Sequence, residues 1–223
     1  GKMFGVLIVE KNNELGFIAG YSGQICGRSD WDNYVPAVFD YLQPGGYFKR
    51  HEAEISSINN AITSLDRCDE KRKAITELQS TCNEAESETE KYKEHIKKVK
   101  AERPEGQPLS EEMIRQSQFM KAELHRIKKR YSALIADKQS IVDSINNKIN
   151  ILKQERRQKS DKLQRWLFKQ FKMLNAKGEQ KNLIDIFYNY NDQHAIPPAG
   201  SGECCEPKML QYAFLHEMHP ISM

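Results

Sequence analysis

Two long stretches of helical pattern, Glu52 to Glu102 and Leu109 to Leu174, flank one break containing Pro104, Gly106 and Pro108. In the second run Met113, Met120, Leu124, Ile127, Tyr131, Leu134, Ile141, Ile145, Ile149 and Leu152 recur at steps of three and four. That spacing is a seam only one or two residues wide. A stripe so narrow cannot be buried by its own helix. The first run offers a matching one through Ile55, Ile58, Ile62, Leu65, Ile75, Leu78, Cys82, Ala85, Tyr92, Ile96 and Val99. The two are therefore expected to pair antiparallel as an arm over 50–174, turning near 103–109, because the prolines and glycine disrupt helix continuation. A first helix unbroken from near Arg50 to Pro104 would reach about 75 Å at about 1.5 Å per residue. The steps through Leu65, Cys68, Arg72 and Ile75, two of them three residues long, are expected to overwind the pair locally.

What remains, 1–49 and 175–223, must form a small body from both termini. Met3 to Glu10 is apolar and β-branched and too short for a helix, so it reads as a buried strand. Lys11 to Glu14 reads as a turn and Leu15 to Ser22 as a second strand, giving a hairpin. From Gly23 to Gly46 the chain is loop-like, yet Trp31, Tyr34, Val35, Val38, Phe39, Tyr41 and Leu42 are expected to line the core. Leu163, Trp166, Leu167, Phe168, Phe171 and Leu174 widen the stripe at the end of the second run, where it should dock on that core. Asn175 to Gly178 reads as a helix C-cap, Leu183 to Tyr188 as a short helix or strand, and Pro207 as the start of a helix through Glu217. The expected class is α+β: a small α/β body with a β-hairpin, plus a long antiparallel two-helix coiled-coil arm.

Charge is divided unevenly. From Ser110 to Leu174 there are sixteen Lys/Arg against seven Asp/Glu, while Lys49 to Arg103 holds twelve of each, and the net charge of the chain is +3. A basic helix on an otherwise acidic chain suits contact with a polyanion. The candidate cations are Arg126, Lys128, Lys129, Arg130, Lys153, Arg156, Arg157, Lys159, Lys162 and Arg165, several of which fall outside the seam and could neutralise phosphates. The plain alternative is a solvated coiled-coil flank with salt bridges to the first helix. Five cysteines without disulfide spacing fit a reducing cytoplasm, and no apolar run approaches the ~20 residues that span a bilayer. No secretory signal is evident. Gly1 at the start and the apolar phrase Pro220-Ile221-Ser222-Met223 at the end read as the limits of a fragment.

No catalytic set is apparent: no phosphate-binding loop, nucleophile elbow or dinucleotide fingerprint occurs. The sharpest phrase is Gly200-Ser201-Gly202-Glu203-Cys204-Cys205-Glu206-Pro207-Lys208. A Cys-x-Glu pair opening a helix, Cys204 and Glu206, resembles that of zinc-dependent nucleotide deaminases, in which a thiolate holds zinc and the glutamate shuttles protons. Two further ligands are required, and no Pro-Cys-x-x-Cys follows before Met223. His216 and His219 share a helix-like spacing but lack a third ligand. Neither a metal nor any other cofactor is expected within this chain.

Six phrases stand out at both ends of the chain, with a divergent coiled coil between: Gly1 to Val9, Glu14 to Gly23, Val35 to Asp40, Glu52 to Ser56, Pro197 to Cys204 and Pro207 to Phe214. Together they resemble the region that precedes the catalytic domain in the long bacterial RluA-type pseudouridine synthases. In that family the catalytic aspartate lies in an Arg-Leu-Asp motif followed by Thr-Ser-Gly. Leu65-Asp66 is the sole Leu-Asp here and does not fit. The resemblance thus implies a non-catalytic, RNA-contacting accessory module, with the isomerase domain of the same chain beyond Met223 and rRNA or tRNA as partner. Two other classes stand beside it: a protein-interaction or dimerisation arm forming a homo-oligomer, and part of a deaminase-like zinc domain.

Overall fold

The computed structural model describes residues 2–104, 108–190 and 196–223. The chain divides into two compact units, Gly1–Ser56 with Arg156–Met223, and Ser57–Glu155. Its class is α+β.

The first unit is built on a hairpin. β1 (Phe4–Lys11) and β2 (Glu14–Tyr21) are antiparallel, with Phe4 opposite Tyr21 and Lys11 opposite Glu14. Their connection is only two residues long, and Asn12 and Asn13 both take positive φ, 56° and 64°. Asparagine tolerates that conformation, and the resulting turn matches the right-handed twist of the strands. The expectation of a buried strand holds for one face alone: Leu7 and Val9 are buried, whereas Phe4, Val6 and Ile8 alternate with them and are exposed. Between the hairpin and the arm runs α1 (Tyr47–Asp66), whose first turns belong to this unit.

The buried face is closed by α5 (Cys205–Leu215), through Cys205, Met209 and Ala213. Gly5 and Gly20 permit the contact, since a Cβ on either would come within 2.9 Å of the Met209 side chain. The helix starts two residues ahead of Pro207, which sits within the first turn, where a missing N–H costs no hydrogen bond. β5 (His219–Ser222) returns antiparallel along the other edge of β1, giving the order β2-β1-β5. Both ends of the chain thus meet in one sheet.

A second cluster gathers around Phe168, Phe171 and Leu183, with Phe39, Tyr41, Leu167, Met173 and Ile184 against it. It anchors the end of α3 (Glu111–Gln170), and the unit takes in α1 as far as Ser56 and α3 from Arg156. Of the apolar loop residues, Phe39 and Tyr41 join this cluster and Val35 joins the first core, while Trp31 and Tyr34 remain exposed at more than a third of their surface. Asn175 to Gly178 does not cap α3. Helix α3 ends at Gln170, and those residues instead turn a small hairpin between β3 (Lys172–Leu174) and β4 (Gln180–Asn182). Gly178 has φ 79°, and the Asn175 Oδ1 accepts from the Lys177 and Glu179 amides. A left-handed glycine after an asparagine serves either structure equally well. Leu183 to Tyr188 falls in a helix, α4 (Leu183–Tyr190), whose first turn is capped by Asn182 accepting from the Asp185 amide at 3.1 Å.

The second unit is the two-helix arm. α2 (Asp69–Ala101) and α3 run antiparallel, shown by cross-links that descend one helix as they climb the other: Glu77 with Lys138, Glu88 with Arg130, and Arg103 with Ser117. The reversal includes 105–107, which lie outside the described residues. The first arm helix is not continuous. It breaks at Arg67 and Cys68, where Cys68 takes an extended backbone (φ −65°, ψ 148°) and its Sγ accepts from the Lys71 amide. Lys71 Nζ spans the break to Asp66 at 2.7 Å. In place of the expected overwinding, the chain here starts a new helix.

That break moves the seam by one position. Ala74 and Thr81 are buried where Ile75 and Cys82 were expected, and Ile75 is exposed. Helix α3 answers in kind: Val142 is buried and Ile135 half-buried, while Leu134 and Ile141 are exposed. Two successive four-residue steps, Ile127 to Tyr131 to Ile135, produce the shift.

Candidate nucleic-acid interface

Because the seam consumes one narrow side of α3, cations at the remaining positions project from it. Their surroundings differ sharply. In the second unit Arg130 donates to both Glu88 oxygens at 2.7 and 2.6 Å and lies over the Tyr131 ring, and the Tyr131 hydroxyl donates to the same carboxylate at 2.7 Å. The Glu88 carboxyl is held below the usual range by the Tyr131 hydroxyl first and by Arg130 second. Arg126 pairs with Glu123 at 2.7 Å within one turn. Lys128 lines a groove of about 810 Å³ over Ala85, Tyr131, Ile135 and Ala136; Lys129 and Lys153 are exposed. Arg126 and Arg130 are therefore part of a flank bridged to carboxylates.

Among the candidates in the first unit, Arg156 is exposed. Lys159 donates to Glu54 at 3.0 Å, and Arg157 stands 4.0 Å from Asp161. Lys162 and Arg165 are exposed and make no ion pair among the described residues, and the same is true of Lys169, which the charge pattern alone did not single out. These three side chains line, with Tyr47, Gln158, Asp161 and Trp166, an open groove of about 510 Å³. Two of its lining residues are aromatic. Tyr47 and Trp166 lie 4.3 Å apart at 30°, and Phe39 meets the Trp166 ring edge-on at 5.9 Å. The three- and four-residue spacing of Gln158, Lys162, Arg165 and Lys169 explains why one helical face presents them together. Tyr47 comes from the distant start of α1, so sequence spacing gave no signal for it.

Cys204 occupies the N-cap of α5, and its side chain makes no capping hydrogen bond; its thiol donates instead to the Gly200 carbonyl at 3.7 Å. Glu206 is exposed in the first turn, and Cys205 is buried against the sheet. A Cβ on Gly202 would collide with the Phe171 ring, so this glycine is needed for close approach. Among the described residues no group of three or more His, Cys, Asp or Glu is placed to hold a metal ion, and all five cysteines are free.

Beneath this turn lies a buried polar group that the sequence did not announce. Lys208 is 2% exposed, donates to the Tyr21 carbonyl at 2.8 Å and stands 4.5 Å over the Tyr21 ring. Burial pushes its ammonium below the ordinary lysine value. Glu203 accepts from the Tyr41 hydroxyl at 2.8 Å, and burial, followed by that carboxylate, raises the phenol. These contacts fasten α5 to the hairpin and to the loop before α1.

No protein-family model matches the chain, and neither a curated protein nor a solved structure matches it. No helix among the described residues is long and apolar enough to cross a membrane.

Proposed function

We propose that this chain is a non-catalytic, RNA-contacting or substrate-positioning module of an RNA pseudouridine synthase whose catalytic domain lies beyond Met223, working in a reducing cytoplasm. The observation that carries the RNA contact is the exposed set Lys162, Arg165 and Lys169, cations without carboxylate partners among the described residues and beside aromatic side chains. Phosphates are the natural counter-charge for such a set. The resemblance of the terminal phrases to RluA-type synthases supplies the parent enzyme. The seam of α3 is occupied by α2 of the same chain and so is not open to a further coiled-coil partner. The test is a binding titration of a labelled RNA against Lys162→Glu/Arg165→Glu. Affinity should fall about tenfold or more, and the slope of log affinity against log salt should shrink by about 1.4 for a single strand. Unchanged affinity with a flat salt response overturns the reading.

A second reading is part of a deaminase-like zinc domain. It is favoured by Cys204 and Glu206 opening α5 with the thiol not engaged as a cap. Metal analysis of a chain extended past Met223 tests it: stoichiometric zinc lost in Cys204→Ser supports it, and no bound zinc overturns it.

A further inference from the structure

We propose that the groove between the start of α1 and the end of α3 is a binding site for unpaired nucleotides, in which a base stacks against the Tyr47–Trp166 pair while Lys162, Arg165 and Lys169 hold the flanking phosphates. This rests on the RNA-contacting reading and gives it a site and a ligand class. Three features converge. The groove, about 510 Å³, is of the size that takes a small organic group such as a nucleobase. Two aromatic side chains line it and are half-buried rather than sealed in a core, with Phe39 edge-on against Trp166 and the His51 ring against Tyr47. Three exposed cations lie along one helical face beside them, and none is neutralised by a carboxylate among the described residues.

Aromatic platforms bordered by a cationic track are how proteins hold single strands without reading sequence, because every base has a π-face and every nucleotide a phosphate. A duplex hides its bases and offers only the phosphates. The one carboxylate on the rim, Asp161, is partly offset by Arg157 at 4.0 Å, and it limits how closely a phosphate approaches that end. The strand should therefore favour the Arg165–Lys169 side.

The experiment uses the whole chain with Trp31→Phe, which leaves Trp166 as the sole tryptophan of the two. Trp166 fluorescence and the polarisation of a labelled oligouridylate are followed in the same titration, with a blunt RNA duplex and a poly-glutamate peptide of equal charge as further arms. The expected result is strong quenching of Trp166 by the single strand alone. Tyr47→Leu, which keeps apolar volume at the first residue of α1, should weaken single-strand binding about tenfold and leave duplex binding unchanged. Lys169→Glu should weaken both, without altering the circular dichroism spectrum. If polarisation reports RNA binding while Trp166 stays unquenched and Tyr47→Leu binds as before, the groove is not the site although RNA contact stands. If the peptide quenches as the oligouridylate does, the ligand class is wrong. If no RNA binds, both the site and the reading beneath it fall.

Discussion

The two units bury their apolar side chains in opposite ways. In the first, Met209 and Ala213 are wholly enclosed between a sheet and its surroundings, and even a lysine is taken out of water. In the second, the seam buries single residues such as Ile127, Val142, Ile145 and Ile149, flanked by ion pairs that remain open to solvent. One unit is held by packing that converges from distant parts of the chain, and the other by a repeated local pattern. Each is therefore vulnerable in a different place, since a dense core concentrates its stability and a seam distributes it.

The most damaging test falls on the dense side. Met209→Ala empties the contact over Gly5 and Gly20 and should cost about 2–5 kcal/mol in denaturant titrations, with the arm's helical signal persisting after the tryptophan signal is lost. Simultaneous loss of both signals would show that the two units do not differ in this way. Ile145→Ala in the seam should cost about 2–3 kcal/mol, toward the low end of that range because a seam one or two residues wide surrounds the site with fewer apolar neighbours than a core does. Hydrogen exchange should show loosening within a few turns of Ile145 and little in the sheet, and uniform loosening would break the contrast.

Smaller effects probe the joints. Cys68→Ala removes the side-chain acceptor at the start of α2 and should cost about 0.5–1 kcal/mol, while Cys68→Ser should preserve or improve the cap. An unchanged melting curve for the alanine variant would mean that the break does not depend on capping. Smallest is Tyr131→Phe. A carboxyl whose folded-state value is depressed contributes stability that is complete above its unfolded value and fades as the pH falls through the folded one. Losing the hydroxyl, the main cause of the depression at Glu88, should move that midpoint up toward the ordinary carboxylate value, so the contribution shrinks and fades at a higher pH. A carboxyl-carbon NMR titration of Glu88 measures it, and an unmoved midpoint would assign the depression to Arg130.

On the dense side Lys208 gives a matching titration of opposite character. Its folded value lies below the unfolded one, so the unfolded chain binds more protons in the window just under the ordinary lysine value, and stability rises with pH across it. Lys208→Met should flatten that rise in stability curves taken through the window. An unaltered slope would mean that the ammonium is not desolvated in solution.

The sequence by itself determined the α+β class, the hairpin and the antiparallel arm, because alternation at two and recurrence at three and four are local patterns that leave each element few ways to bury its apolar side. It also determined that cations would project from α3. Only the tertiary structure decided the register of the seam, where the break at Cys68 and the four-residue steps after Ile127 exchange Leu134 and Ile141 for Ile135 and Val142. The same holds for Asn175 to Gly178, whose turn chemistry suits a helix end and a hairpin alike until the partner strand selects one. Tyr47 meets Trp166, and Lys208 meets Tyr21, across separations in the chain that no periodicity encodes. Such pairs are fixed by how packed elements fill the space between them, and composition carries no record of that space.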